Sequence, residues 1–284
     1  MIDSAEEWCV ALIRAETTES KLAPGPRPEL MDPAHAPPRE VVLAMEPGRP
    51  TGVELGERAE RIPRAGALKA ADARVRLLHL FLHHEIQAAE LFAWAYLLFG
   101  DAPPEFRRGL LRLVDDELRH GRLYRDRLRA HGADYGAHPV RDWFWVKAKQ
   151  CTDPRMFVAL LGLGFEGANI EHAERFSGQF EAAGDPESAR VVERVGREEV
   201  AHVRFAARWF THFDGGDPDS GPDFDRWAAA LPAPLTPSVM RGHPLQRPQR
   251  RRAGLSEAFL DGLAAAGSKT TRRSPRNVRP ARDR

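Results

Sequence analysis

Two glutamate and histidine pairs, Glu117-Leu118-Arg119-His120 and Glu199-Val200-Ala201-His202, constrain this 284-residue chain more than any other feature. Each follows a further glutamate inside an apolar helical run, Glu85 by 32 residues and Glu166 by 33. That interval is about half of each of two helices plus the turn between them. The pattern therefore asks for two helical hairpins, each delivering one Glu and one Glu-x-x-His to the same place. Four carboxylates and two imidazoles so arranged describe a two-metal site inside a four-helix bundle.

The punctuation of the chain supports this reading. A helical pattern begins near Ala70 and runs to Phe99, where Gly100-Asp101-Ala102-Pro103 ends it. The next runs from about Pro104 to Ala130 and closes at Gly132, a residue suited to the left-handed position after a helix. A connector holds Trp143, Phe144 and Trp145, and Asp153-Pro154 opens a third helix that reaches about Ala183. Gly184-Asp185-Pro186-Glu187 repeats the earlier turn, with aspartate as cap, proline in the first turn and an acid at the positive end of the dipole. The fourth helix extends to about Phe213, which makes the chain a weak internal repeat of two hairpins.

Helical rise brings the glutamates level. Glu85 lies 17 residues before Ala102 and Glu117 lies 15 after it; Glu166 lies 18 before Gly184 and Glu199 lies 15 after it. Periodicity turns them inward, because Glu85 shares a face with Leu78, Leu82, Ala89, Phe92 and Tyr96, and Glu199 with Val192, Val195, Val203, Ala206 and Phe210. Glu117 and Glu166 sit on similar apolar stripes. Unpaired, each such carboxylate would cost several kcal/mol, so the four need counter-charge. Two divalent cations supply it.

Within Glu-x-x-His the two side chains lie about 60° apart on one helix face, close enough to share a metal. Hard carboxylates with one imidazole per metal and no thiolate favour iron or manganese over zinc or copper. Two iron ions are the expected cofactor, manganese the alternative, with O2 as co-substrate at open coordination positions. With 23 glutamates and 11 histidines, chance alone yields about one Glu-x-x-His. The weight lies in two pairs at matching places in matching hairpins. Glu85, Glu117, His120, Glu166, Glu199 and His202 are thus the expected metal ligands and catalytic residues.

Glu90 and Glu171, five residues after Glu85 and Glu166, fall about 140° round the helix and should point elsewhere; each is the substitute ligand if its neighbour is not one. His83, His84 and His172 also leave the stripe and read as interhelical hydrogen-bonding groups. Asp116 and Glu198, just before the paired ligands, can accept the remaining imidazole N–H, or form structural salt bridges. Tyr96 and Tyr124 lie on the ligand stripe, where core filling competes with a redox or supporting role. Trp143 and Trp145 read as caps on the bundle end.

Outside residues 70–213 the composition changes. Residues 1–69 hold a short amphipathic helix over residues 3–20 and then an arm in which prolines from Pro24 to Pro50 forbid regular structure. Residues 214–267 form an extension rich in Pro, Gly and Asp, with short helical patches at Asp223–Leu231 and Glu257–Ala265. From 268 to 284, Lys269 and six arginines face one acid, Asp283, and the tail reads as disordered. Lys+Arg 42 against Asp+Glu 41 gives no overall bias toward nucleic acid or anionic membranes. Nucleic-acid contact enters only through the tail. Cys9 and Cys151 form no disulfide or metal spacing, the N-terminus lacks a basic leader, and the apolar stretch Leu77 to Phe99 is broken by His83, His84, Glu85, Gln87 and Glu90. A cytoplasmic protein without a membrane span is expected, as a monomer or homodimer.

The ligand order Glu, Glu-x-x-His, Glu, Glu-x-x-His resembles the ferritin-like superfamily of di-iron carboxylate proteins, and Asp116-Glu117-Leu118-Arg119-His120 resembles the Asp-Glu-x-Arg-His motif of di-iron monooxygenases. Over about residues 20–265 the chain is similar to a bacterial ferritin-like family catalogued as a domain of unknown function. That likeness rests on His83-His84-Glu85-Ile86-Gln87-Ala88, Asp134-Tyr135-Gly136, Arg197-Glu198-Glu199-Val200-Ala201-His202-Val203 with Arg208-Trp209-Phe210, and Arg252-Ala253-Gly254-Leu255-Ser256-Glu257. It implies an all-α, ferritin-like antiparallel four-helix bundle with irregular N- and C-terminal extensions, and it favours Glu85 and Glu166 over Glu90 and Glu171. The likeness supplies no reaction; the ligand set itself points to a di-iron oxidase or oxygenase that oxidises or hydroxylates an organic substrate, small or carried on a macromolecule, with a separate electron donor. The alternatives are a ferroxidase or peroxide-scavenging iron-handling protein and a tRNA-modifying hydroxylase.

Overall fold

In a computed structural model, described here for residues 2–57 and 62–268, the chain is all-α, and its only β pairing among those residues is an isolated bridge between Leu55 and Val140. The N-terminal arm carries three short helices, α1 (Ala5–Arg14), α2 (Thr18–Leu22) and α3 (Arg39–Leu43). The long helices α4 (Ala71–Leu98) and α5 (Pro104–Ala130) follow. A connector helix α6 (Trp143–Ala148) leads to α7 (Pro154–Leu160), which continues through a π-helical turn (Leu161–Glu166) into α8 (Gly167–Ala182). Next comes α9 (Pro186–Phe213), and α10 (Phe224–Ala230), α11 (Arg247–Arg252) and α12 (Glu257–Ser268) form the C-terminal extension. The basic tail falls outside the described residues.

Two long pairs, α4 with α5 and α8 with α9, pack into a helical bundle. Connections of five and three residues join the members of each pair, and such short links force the helices to run antiparallel. Local chemistry sets the ends. The Asp185 carboxylate accepts the Ser188 N–H at 3.1 Å at the start of α9, with Pro186 behind it, and Asp153 does the same for Met156 at 2.9 Å. Gly132 closes α5 with φ +80°, the left-handed conformation that glycine adopts without strain.

Helix α4 is buried on every side from Leu77 to Leu98 apart from Leu80 and His84. A helix of that kind needs cover all round, and two partners in a hairpin bundle cannot provide it. The N-terminal arm does, through α1 and α3, together with α6 from the connector. Polar anchors hold these pieces. The Trp94 indole donates to the Val42 carbonyl at 2.8 Å, and Arg39 donates to the Leu98 carbonyl at 2.9 Å, capping the end of α4. The arm thus contains ordered turns between its prolines, at α3 and in 3-10 turns at Pro33–His35 and Ala65–Lys69, where residue composition predicted irregular chain.

Each arm is also locked by a buried ion pair. Lys21 Nζ lies 2.5 Å from Glu90 Oε1 and donates to the Leu12 and Ile13 carbonyls, while Arg49 grips Glu90 with two nitrogens at 2.7 and 3.0 Å. On the other hairpin, Arg250 of α11 grips Glu171 at 2.7 and 2.8 Å. Glu171 also accepts the Gly242 and Gln246 N–H groups, each at 3.0 Å. No helix in the described residues is long and apolar enough to cross a membrane.

Candidate metal centre

Glu85 projects from α4, Glu117 and His120 from α5, Glu166 from the last position of the π-helical turn, and Glu199 and His202 from α9. All six are at least 95 % buried, and they meet at one point of the bundle. Two groups form, Glu85 with Glu117, His120 and Glu199, and Glu166 with Glu117, Glu199 and His202; within each, one ligand atom per residue lies within 4.8 Å of the others. Glu117 and Glu199 belong to both. His202 Nδ1 stands 2.9 Å from Glu117 Oε1 and 3.0 Å from Glu199 Oε2. His120 Nδ1 stands 3.4 Å from Glu85 Oε2 and 3.7 Å from Glu117 Oε2.

Several inward atoms have no hydrogen-bond partner: both carboxylate oxygens of Glu117, Glu199 Oε2, and Nδ1 of His120 and His202. Buried polar atoms without partners are expensive, so a cluster of them sharing one focus has the character of a metal-ligand set. Asn169 supports a central carboxylate directly, donating to Glu199 Oε1 at 3.0 Å.

Burial and the Glu117 carboxylate push the Glu85 carboxyl well above its usual range, and burial with Glu199 and Glu117 does the same for Glu166. Burial disfavours the charged imidazoles too, but the surrounding carboxylates overcome it, raising His120 to about 11 and His202 well above its usual value. Glu117 moves the other way: burial raises it, and the His202 and His120 imidazoliums outweigh that and lower it.

The outward imidazole nitrogens are held crosswise. His120 Nε2 of α5 meets Glu198 of α9 at 2.8 Å, and His202 Nε2 of α9 meets Asp116 of α5 at 3.4 Å. Arg119 donates to both, to Asp116 at 2.6 Å and to Glu198. Each imidazole thus presents Nδ1 to the centre because the opposite helix engages Nε2.

The family described as "Protein of unknown function (DUF455)" matches residues 6–261. The chain belongs to this family. No curated protein and no solved structure matches it.

The remaining candidates in this DUF455 protein separate clearly. Glu90 and Glu171 point away from the centre into the ion pairs that hold the arms. His83 bonds to the Tyr135 hydroxyl at 2.7 Å and the Arg141 carbonyl at 3.2 Å, and burial lowers His84 and His172 to about 4. Tyr96 lies away from the cluster, donating to Glu6 Oε1 at 2.6 Å beneath Arg107. Tyr124 is nearer: burial and the Glu85, Glu199 and Glu117 charges raise its phenol well above the usual value.

The aromatic connector departs from expectation. Trp145 is buried, its indole donating to Glu90 at 2.8 Å, but Trp143 and Phe144 do not merely cap the bundle. They line a cavity of 240 Å³ that opens onto Glu85, Glu117 and Glu166. Periodicity could not place a connector helix against this wall, since α6 has no face of its own long enough to register. Asn169 was legible in principle: it follows Glu166 by three residues, the spacing that each histidine keeps from its own glutamate.

Proposed function

We propose that this protein is a di-iron oxidoreductase on a ferritin-like antiparallel four-helix bundle, using dioxygen to oxidise or hydroxylate an organic substrate. The observation that carries the reading is the sharing of Glu117 and Glu199 between two ligand groups, each completed by one carboxylate and one imidazole. Glu85 and His120 would hold one iron, Glu166 and His202 the other, with Glu117 and Glu199 between them. Oxygen-rich donors with one nitrogen per ion suit iron, with manganese next, and an N/S metal such as copper poorly. When bound, the pair supplies one-electron redox capacity and a place for dioxygen.

The charge balance supports the same reading. Two carboxyls and two imidazoles hold protons more tightly in the metal-free site, so bound cations would take the place of protons as counter-charge to the buried carboxylates. The chain's own groups would position the centre: Asp116 and Glu198 fix the imidazoles, Asn169 orients Glu199, and the apolar cavity keeps water from the reacting face.

The aromatic wall of that cavity, with Phe81, Trp143, Phe144, Phe165 and Phe176, favours an organic substrate over the alternative in which ferrous iron is itself the substrate. The reading also requires an outside electron donor. It is tested by metal analysis of protein loaded anaerobically with ferrous iron, followed by exposure to air. About two irons per chain and an iron(III) absorption band are expected, both lost in Glu117→Gln. Retention of fewer than two irons, or no spectral response to oxygen, would sink it.

A further inference from the structure

The cavity beside the carboxylates has a wall of unusual composition. His84, Phe144 and Phe165 stack in near-parallel succession, with centroids 4.7 and 4.5 Å apart and interplanar angles of 27° and 21°. Trp143 continues the slab against Phe165 at 5.2 Å. Phe81 and Phe176 also line the space, 5.2 Å from one another. Trp143, Phe144 and Phe165 are only partly buried. Rings stacked on one another spend their faces on each other and turn edges to the chamber, and such edges favour the face of a planar aromatic guest over a branched aliphatic chain.

Charge narrows the ligand further. No lysine or arginine lines the chamber among the described residues, and one end is formed by three carboxylates. An anion would find no basic partner there, and a cation would compete with the metal ions for the same oxygens. Asn169 and His172 are available for a neutral polar substituent. Size sets the scale: a cavity of about 150 Å³ takes up benzene, so 240 Å³ suits a two-ring system. A second chamber of 300 Å³ shares His84, Trp143 and Phe144 with the first, so the His84 and Phe144 rings stand between the two.

We propose that the inner chamber is the substrate site and that it takes a neutral, planar aromatic group of two-ring size, its face against the edges of Phe144 and Phe165 and one end toward the carboxylates. The outer chamber leads to it. This assignment rests on the oxidoreductase reading of the adjoining centre, but its test reads binding and not turnover.

The test is calorimetric titration of the full-length, iron-loaded protein, with iron measured in the same sample and indole, indole-3-acetate and tryptamine as probes. Indole is expected to bind with a dissociation constant of roughly 10 μM to 1 mM, the range open to a fragment of its size, and the two charged analogues about tenfold more weakly or worse. Ala168→Phe, which fills the chamber, should abolish indole binding. Phe165→Leu, which keeps apolar volume but removes the ring, should weaken it about tenfold. Circular dichroism checks both variants, and if Ala168→Phe does not fold, Phe165→Leu and the charge discrimination decide. No indole binding at millimolar concentration, equal binding of all three probes, or parental binding in the folded variants overturns the proposal, even in protein carrying two irons. Indole binding in protein that retains no iron upholds the chamber and overturns the reading of the centre instead.

Discussion

Arg119 sits at the junction of both halves of the site. It binds Asp116 on its own helix and Glu198 on α9, and each of those carboxylates holds the outward nitrogen of a histidine on the opposite helix. Burial raises the Glu198 carboxyl, yet Arg119 and His120 overcome this and hold it at about 2. Replacing Glu198 by Gln keeps an acceptor but removes the charge that makes the imidazole a better ligand. The expected result is a loss of metal affinity of about 10- to 100-fold with the fold intact, measured by competition with a chelator. Affinity equal to the parent would show that the crossed pairs serve only the hairpin interface. That the six central residues meet could be read from spacing, because equal helical rise on either side of two turns brings them level and the helical period turns them inward. The crossing could not. Asp116 and Glu198 each precede a Glu-x-x-His, and nothing in a linear chain says that each will support the other's histidine.

At the scale of elements, the segment that carries Glu166 is not a plain α-helix. The π-helical turn Leu161–Glu166 changes the angular step, so the apolar stripe inferred from a constant 100° per residue holds on either side of it but not through it. Gly162 lies in this turn, and a methyl added there would overlap the Ala206 side chain of α9. Gly162→Ala should therefore destabilise the protein by about 1–3 kcal/mol despite alanine's higher helix propensity, and Ala206→Gly should recover part of that loss in the double variant. Chemical denaturation of the four proteins in the cycle measures it; additive effects would mean that the two helices do not touch there. The arms supply a second case. Glu171 and Arg250 are both fully buried, so Arg250→Ala strands a carboxylate and should cost about 3–5 kcal/mol by the same measurement. Removing both partners with Glu171→Leu and Arg250→Met should cost less than Arg250→Ala alone. Long helices and their turns were legible because periodicity accumulates over many residues. α6 and α11, six residues each, are too short to show a period, and their positions follow from what they cover.

For the whole molecule, the metal-free state has a definite pH response. Glu85, Glu166, His120 and His202 all bind protons more tightly when folded than when unfolded. A raised folded pKa contributes stability that is complete below the unfolded value and is lost as pH rises through the folded one. For His120 that window opens near 6.5 and closes at about 11. Scanning calorimetry of metal-free protein should therefore show Tm falling between about pH 6.5 and 9. Protein loaded with ferrous iron or manganese under anaerobic conditions should lack this decline, because the cations replace the protons and bind more tightly as pH rises. Parallel curves for the two forms would contradict metal binding by these residues.

The arrangement of the two ligand groups also bears on how such a centre can originate. Each group takes three members from one hairpin and borrows a single glutamate from the other: Glu199 for the first, Glu117 for the second. Half of this chain, alone in solution, therefore holds an incomplete set for either ion. Two copies of one half, related by a two-fold axis, would hold both complete. The design is self-complementary, so the smallest unit that could supply both groups is one helical hairpin paired with a copy of itself.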